Sequence, residues 1–147
     1  MITIQKFDKN QKFAAGQQGE INAFLYKSLQ EYGDPKDDIN AAMDYALGEE
    51  NSPGGFVLVA NDGEKIVGSV VVNRTGMKKY IPENILVYIA TDAECRGKGI
   101  GKKLMETAIE QAEGSIALHV EPNNPAKGLY EKLGFTNKYL EMRYIKQ

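Results

Sequence analysis

The chain has 147 residues, 42% of them hydrophobic and 26% charged, enough to enclose a core in one domain spanning residues 1–147. A net charge of −2 gives no support to a general nucleic-acid role, and no apolar run approaches the roughly 20 residues needed to cross a bilayer. One cysteine and one histidine exclude an intrachain disulfide and leave no credible zinc site.

The opening residues, MITIQKFDKNQKF, lack the apolar block of a secretory signal. With a lone cysteine, that points to a reducing, cytoplasmic setting. Met1 to Phe7 alternates weakly and reads as an edge strand. From Ile21 the apolar positions Phe24, Leu25, Leu29 and Tyr32 fall at helical spacing. In GDPKDDINAAMDYALGEE, Asp34 is placed to cap a helix, Pro35 suits its first turn and Gly48 its end. Ile39, Ala42, Met43, Ala46 and Leu47 supply the buried stripe. The acids concentrate here: between Glu20 and Glu50 there are eight acids and two lysines. That balance describes either a solvated helical face or a lip that attracts a cationic substrate.

The period then changes. GFVLVANDGEKIVGSVVVNR is two β-rich runs joined at Asn61-Asp62-Gly63-Glu64, a hairpin signal. NILVYIAT is an apolar run suited to a strand covered on both faces. A helix follows from Ile100 to Ala112, a strand over SIALHV, a short helix from Pro125 to Leu133 closed by Gly134, and a final alternating strand over KYLEMRYIK. The order is β-α-α-β-β-β-α-β-α-β: a mixed α/β domain with helices on both sheet faces. The strand–helix–strand unit at residues 85–120 should pair in parallel.

Residues 90–111 read ATDAECRGKGIGKKLMETAIEQ, with glycines just where a helix starts. A dinucleotide fingerprint, G-x-G-x-x-G, fails from Gly97 and from Gly99 alike. A P-loop fails because Gly101-Lys102 is followed by Lys103. What remains is R-x-x-G-x-G, carried by Arg96, Gly99 and Gly101. Such a turn exposes backbone N–H groups at the positive end of a helix dipole, a ready site for a phosphate.

CRGKGIGKKL resembles the acyl-CoA loop of the GNAT superfamily of N-acetyltransferases. Downstream, NNPAKGLYEKLGF is similar to that family's second signature, N-x-x-A-x-x-L-Y-x-K-x-G-F. The resemblance implies the GNAT acyl-CoA N-acyltransferase fold, acetyl-CoA as cosubstrate, and an amine of a small molecule or peptide as acceptor. It places the pyrophosphate on the backbone N–H groups of Gly97, Gly99, Ile100, Gly101 and Lys102, with Arg96 and Lys98 also in the cofactor-binding set. It sets the pantetheine arm along Ile89, Ala90 and Thr91 with Asn123 bonded to it, and it makes Tyr130 the acid that protonates the departing thiolate. Asn124, before Pro125, is explained by helix capping alone. Ala93 and Cys95 stand where the family often has Pro and Tyr, positions with no expected chemistry. Candidates for the base that deprotonates the amine are Glu31, Glu83, His119 and Glu121. A second reading stays open, an acyl-CoA-binding regulatory module without transfer activity. No metal is expected, and the assembly is a monomer or a homodimer.

Overall fold

The computed structural model describes residues 1–147. Its elements are β1 (Ile2–Phe7), α1 (Gln17–Leu29), α2 (Lys36–Ala46), β2 (Gly55–Asp62), β3 (Lys65–Arg74), β4 (Asn84–Thr91), α3 (Ile100–Gln111), β5 (Ile116–Leu118) and α4 (Lys127–Lys132). The strands form one sheet in sequence order. β1 to β4 pair antiparallel, and β4 pairs with β5 in parallel. β1 is the edge strand its weak alternation implied. The hairpin turns at Gly63, whose φ of 63° suits a residue without a Cβ.

Period-2 alternation sends β2 side chains to two cores. Val57 and Val59 join Ile21, Leu25, Ile39 and Met43 of α1 and α2. Phe56, Leu58 and Ala60 join Ile100, Leu104, Met105 and Ala108 of α3. Burying each of the larger of these side chains stabilises the fold by about 1.5–3 kcal/mol. Gly68 on β3 allows the closeness of α3, because a Cβ there would lie 2.6 Å from Leu104 Cδ1.

β4 departs from simple alternation. A bulge inserts Val87 between the pairs Val72↔Leu86 and Val71↔Tyr88. Leu86 therefore packs on the α3 side while Tyr88, two residues on, packs on the α1–α2 side. Pairing with β5 stops at the same point, the last partners being Leu86 and Leu118.

Three expectations are corrected. The strand over SIALHV shrinks to three residues, since β4 is re-aimed at Val87 and leaves His119 and Val120 without a partner. KYLEMRYIK forms no strand: Leu140 and Met142 are 84% and 90% exposed, and no ladder bond reaches the segment. Its alternation defines two faces, but pairing makes a strand. The order therefore ends at α4. Asp34 does not cap α2, whose N-cap position is Pro35 with no side-chain bond. The Asp34 carboxylate is claimed from across the fold instead, as described below.

Candidate active site

Between β4 and α3, Asp92 accepts a hydrogen bond from the Glu94 N–H at 2.8 Å and pairs with Lys65 Nζ at 3.2 Å. The bond from Glu94 and the Lys65 ammonium together hold the Asp92 carboxyl below its ordinary range. This turn anchors the glycine loop. Gly97 and Gly99 have φ of +85° and +78°, and a Cβ on either would point into open space. Gly99 is the N-cap of α3 and offers no side-chain acceptor. The first helical bond runs from Lys103 N–H to the Gly99 carbonyl. The amides from Arg96 to Lys102 make no hydrogen bond within the chain. They are a run of donors at a helix start, with exposed Arg96, Lys98 and Lys102 around them.

Beside this loop lies the open edge of β4. Asp92 N–H bonds the Val67 carbonyl at 2.9 Å. Antiparallel alternation then turns the backbone groups of Ala90 and Tyr88 toward β3 and those of Ile89 and Thr91 away from it. With β5 ended at Leu118, that outward edge has no strand partner. Of the three residues expected to pair with an arm, Ile89 and Thr91 offer the open edge, and Ala90 sits between them bonded to β3.

α4 closes the third side. Asn124 Oδ1 accepts from the Ala126 N–H at 2.9 Å, an Asx turn ahead of α4 rather than the cap expected of it, since the N-cap position is Ala126 with no side-chain bond. Leu129 Cδ2 and Thr91 Cγ2 lie 3.5 and 3.6 Å from where a Gly101 Cβ would stand. That contact draws the end of β4, the first turn of α3 and α4 together. Next to Leu129, Tyr130 is 7% exposed among the α3-side core residues, its ring 6.1 Å from that of Phe135. Its hydroxyl makes no hydrogen bond within the chain, and burial pushes the phenol up to about 12. Asn123 is exposed. Its carbonyl accepts from the Tyr32 hydroxyl at 3.4 Å, and its side chain is uncommitted.

The base candidates fare unevenly. Glu83 is occupied: its oxygens accept the Ser115 and Lys79 N–H groups at 2.7 and 3.1 Å, which holds its carboxyl below the ordinary value. His119 lies past the end of β5, its side chain 56% exposed and 3.9 Å from Glu141. Glu31 and Glu121 are exposed, and neither carboxylate makes a hydrogen bond or ion pair. Cys95 is half-buried and packs against the α3-side core.

One arrangement escaped sequence reasoning. The hydroxyl of Tyr88, buried on β4, donates to Asp34 Oδ2 at 2.6 Å. Burial first, and the Asp34 carboxylate second, hold that phenol above its ordinary value. Only an unexpected tyrosine in an otherwise aliphatic strand signals it.

The family model for an acetyltransferase (GNAT) domain matches residues 53–137. This chain belongs to the GNAT acetyltransferase family. An N-alpha-acetyltransferase 30 of Xenopus laevis is 36% identical over 87 residues, 56% of this chain and 32% of that protein. A mycothiol acetyltransferase of Pseudarthrobacter chlorophenolicus is 31% identical over 100 residues, 63% of this chain and 30% of that protein. The chain thus spans about a third of the length of these relatives. An aminoglycoside N-acetyltransferase solved in complex with CoA shares the fold, with a TM-score of 0.70 at 16% identity over 100% of this chain and 95% of that one. No helix is long and apolar enough to cross a membrane.

Proposed function

We propose that this GNAT domain transfers an acetyl group from acetyl-CoA directly to an amine of a small molecule or peptide. The observation that carries this reading is the run of unpartnered amides from Arg96 to Lys102, set beside the unpaired outer edge of β4. Those amides receive the pyrophosphate, with the helix dipole and Lys98 and Lys102 adding positive potential. The outward backbone of Ile89 and Thr91 receives the pantetheine arm as an added strand would be received, and Asn123 steadies it from the facing loop. An N–H of the same edge donates to the thioester oxygen as it gains charge.

Tyr130 serves the leaving sulfur. A phenol raised to about 12 stays protonated at neutral pH, so its O–H is always ready to donate. Full proton transfer to a thiolate whose acid has a pKa near 8.5 is uphill by about 5 kcal/mol. The general-acid role is therefore chiefly a hydrogen bond that stabilises the departing thiolate. The acidic balance of residues 20–50 favours a cationic acceptor.

The test is thiol release from acetyl-CoA with a panel of polyamines, amino acids, aminoglycosides and peptides. Turnover with cationic amines is expected. Saturable CoA binding with no thiol release from any amine would instead establish the regulatory-module reading.

A further inference from the structure

The connection between α1 and α2 is tied at both ends of the wedge left between β4 and β5. Tyr32 reaches the far wall, bonding the Asn123 carbonyl of the β5–α4 loop at 3.4 Å. Two residues later Asp34 reaches the near wall, bonded at 2.6 Å by the hydroxyl of Tyr88 on β4. Residues 32–34 are therefore a strap across the open edge. Tyr88 lies between Val87, where the bulge re-aims β4, and Ile89, whose backbone faces that edge. Asp34 itself is exposed; Oδ2 takes the Tyr88 bond, and Oδ1 makes no hydrogen bond or ion pair. An open recess of about 380 Å³, lined by Tyr26, Pro35, Lys36 and Asp37, begins at the next residue.

We propose that Asp34 receives the acceptor's amine and takes its proton during transfer, with Tyr88 as the residue that positions the carboxylate; this rests on the acetyl-transfer reading above. Oδ1 accepts a hydrogen bond from the incoming amine and orients its lone pair toward the thioester carbon. The C–N bond forms and the nitrogen becomes cationic. Asp34 Oδ1 takes the surplus proton and later returns it to water. The C–S bond then breaks, and the sulfur leaves with its electron pair under the Tyr130 O–H. Once it is bonded to the tetrahedral carbon the nitrogen is far more acidic than a free ammonium, so a carboxylate suffices as its base. The recess beyond Pro35 leaves room for the body of the acceptor. Neighbouring charges are Asp37 and Lys36 in the chain and Asp38, whose field reaches Tyr88.

The experiment compares wild type, Asp34→Asn, Tyr88→Phe and Asp38→Asn, with CoA affinity and melting temperature measured for each. Acceptors are the best primary alkylamine of the panel and the weakly basic hydroxylamine of the same carbon skeleton. Asp34→Asn should lower kcat/KM for the alkylamine about 100-fold or more, as expected for a lost proton acceptor. It should cost the hydroxylamine less than fivefold and leave CoA affinity within twofold. Tyr88→Phe should show the same selective loss at smaller size, and Asp38→Asn no more than about a twofold rise in KM for the cationic alkylamine with kcat held, as expected of one remote charge. Equal losses on both acceptors, or none with Asp34→Asn in an active protein, would overturn the assignment while leaving the transfer reading standing. A wild-type protein that binds CoA and acetylates no amine would remove both.

Discussion

Replacing Tyr130 by Phe deletes one oxygen from a 7%-exposed side chain whose hydroxyl has no partner within the fold. No donor or acceptor is orphaned and no volume is lost from the ring, so stability should stay within about 0.5 kcal/mol. Catalysis should not be spared. A hydrogen bond to a charged partner contributes about 1.5–3 kcal/mol, and each 1.36 kcal/mol is a factor of ten in rate. The variant should therefore lose about 10- to 150-fold in kcat, because the bond forms only as the sulfur becomes a thiolate. CoA affinity should shift less than threefold. The assay is thiol release at saturating acetyl-CoA and amine, with calorimetry for CoA. Unchanged kcat would refute the assignment of Tyr130 to the leaving group. A large loss of CoA affinity at constant kcat would reassign it to binding.

Two further outcomes follow from the same geometry. Gly99→Ala places a Cβ at φ +78°, which costs about 1–2 kcal/mol of backbone strain. It should appear as a lowered melting temperature or as a CoA Kd raised roughly 5- to 30-fold, whereas Gly128→Ala, in a helix with open space around it, should cost neither. The raised phenol of Tyr130 makes the folded state hold its proton longer than the unfolded chain, whose value is near 10. Its contribution is complete below about pH 10 and lost as pH rises toward about 12. Chemical denaturation across that range should lose stability less steeply in Tyr130→Phe than in wild type.

Much of this was legible in local pattern. The turn at Asn61 to Glu64, the stripe of α3 and the glycine spacing at Arg96 to Gly101 each carry their cause within a few residues. A short frame put Tyr130 on one small helix, while the cap position expected of Asn124 fell to Ala126. What local pattern lacked was pairing. NILVYIAT shows an unbroken apolar run, and nothing in it marks Val87 as the inserted residue that turns Tyr88 to the other face and frees the edge at Ile89. KYLEMRYIK alternates as a strand should, yet a ladder needs a neighbour, and β5 is three residues long. Asp34 followed capping rules on paper, while a tyrosine 54 positions away had the stronger claim to its carboxylate. Contacts between distant residues decide such cases.

The most direct test of the central claim is a titration of the ¹⁵N-labelled chain with CoA, followed amide by amide. The largest shifts are predicted at Gly97, Lys98, Gly99, Ile100, Gly101 and Lys102, with Ile89 and Thr91 moving at the same CoA concentration and the β1–β2 ladder still. Saturation with CoA that left the Arg96–Lys102 amides unmoved would contradict the account.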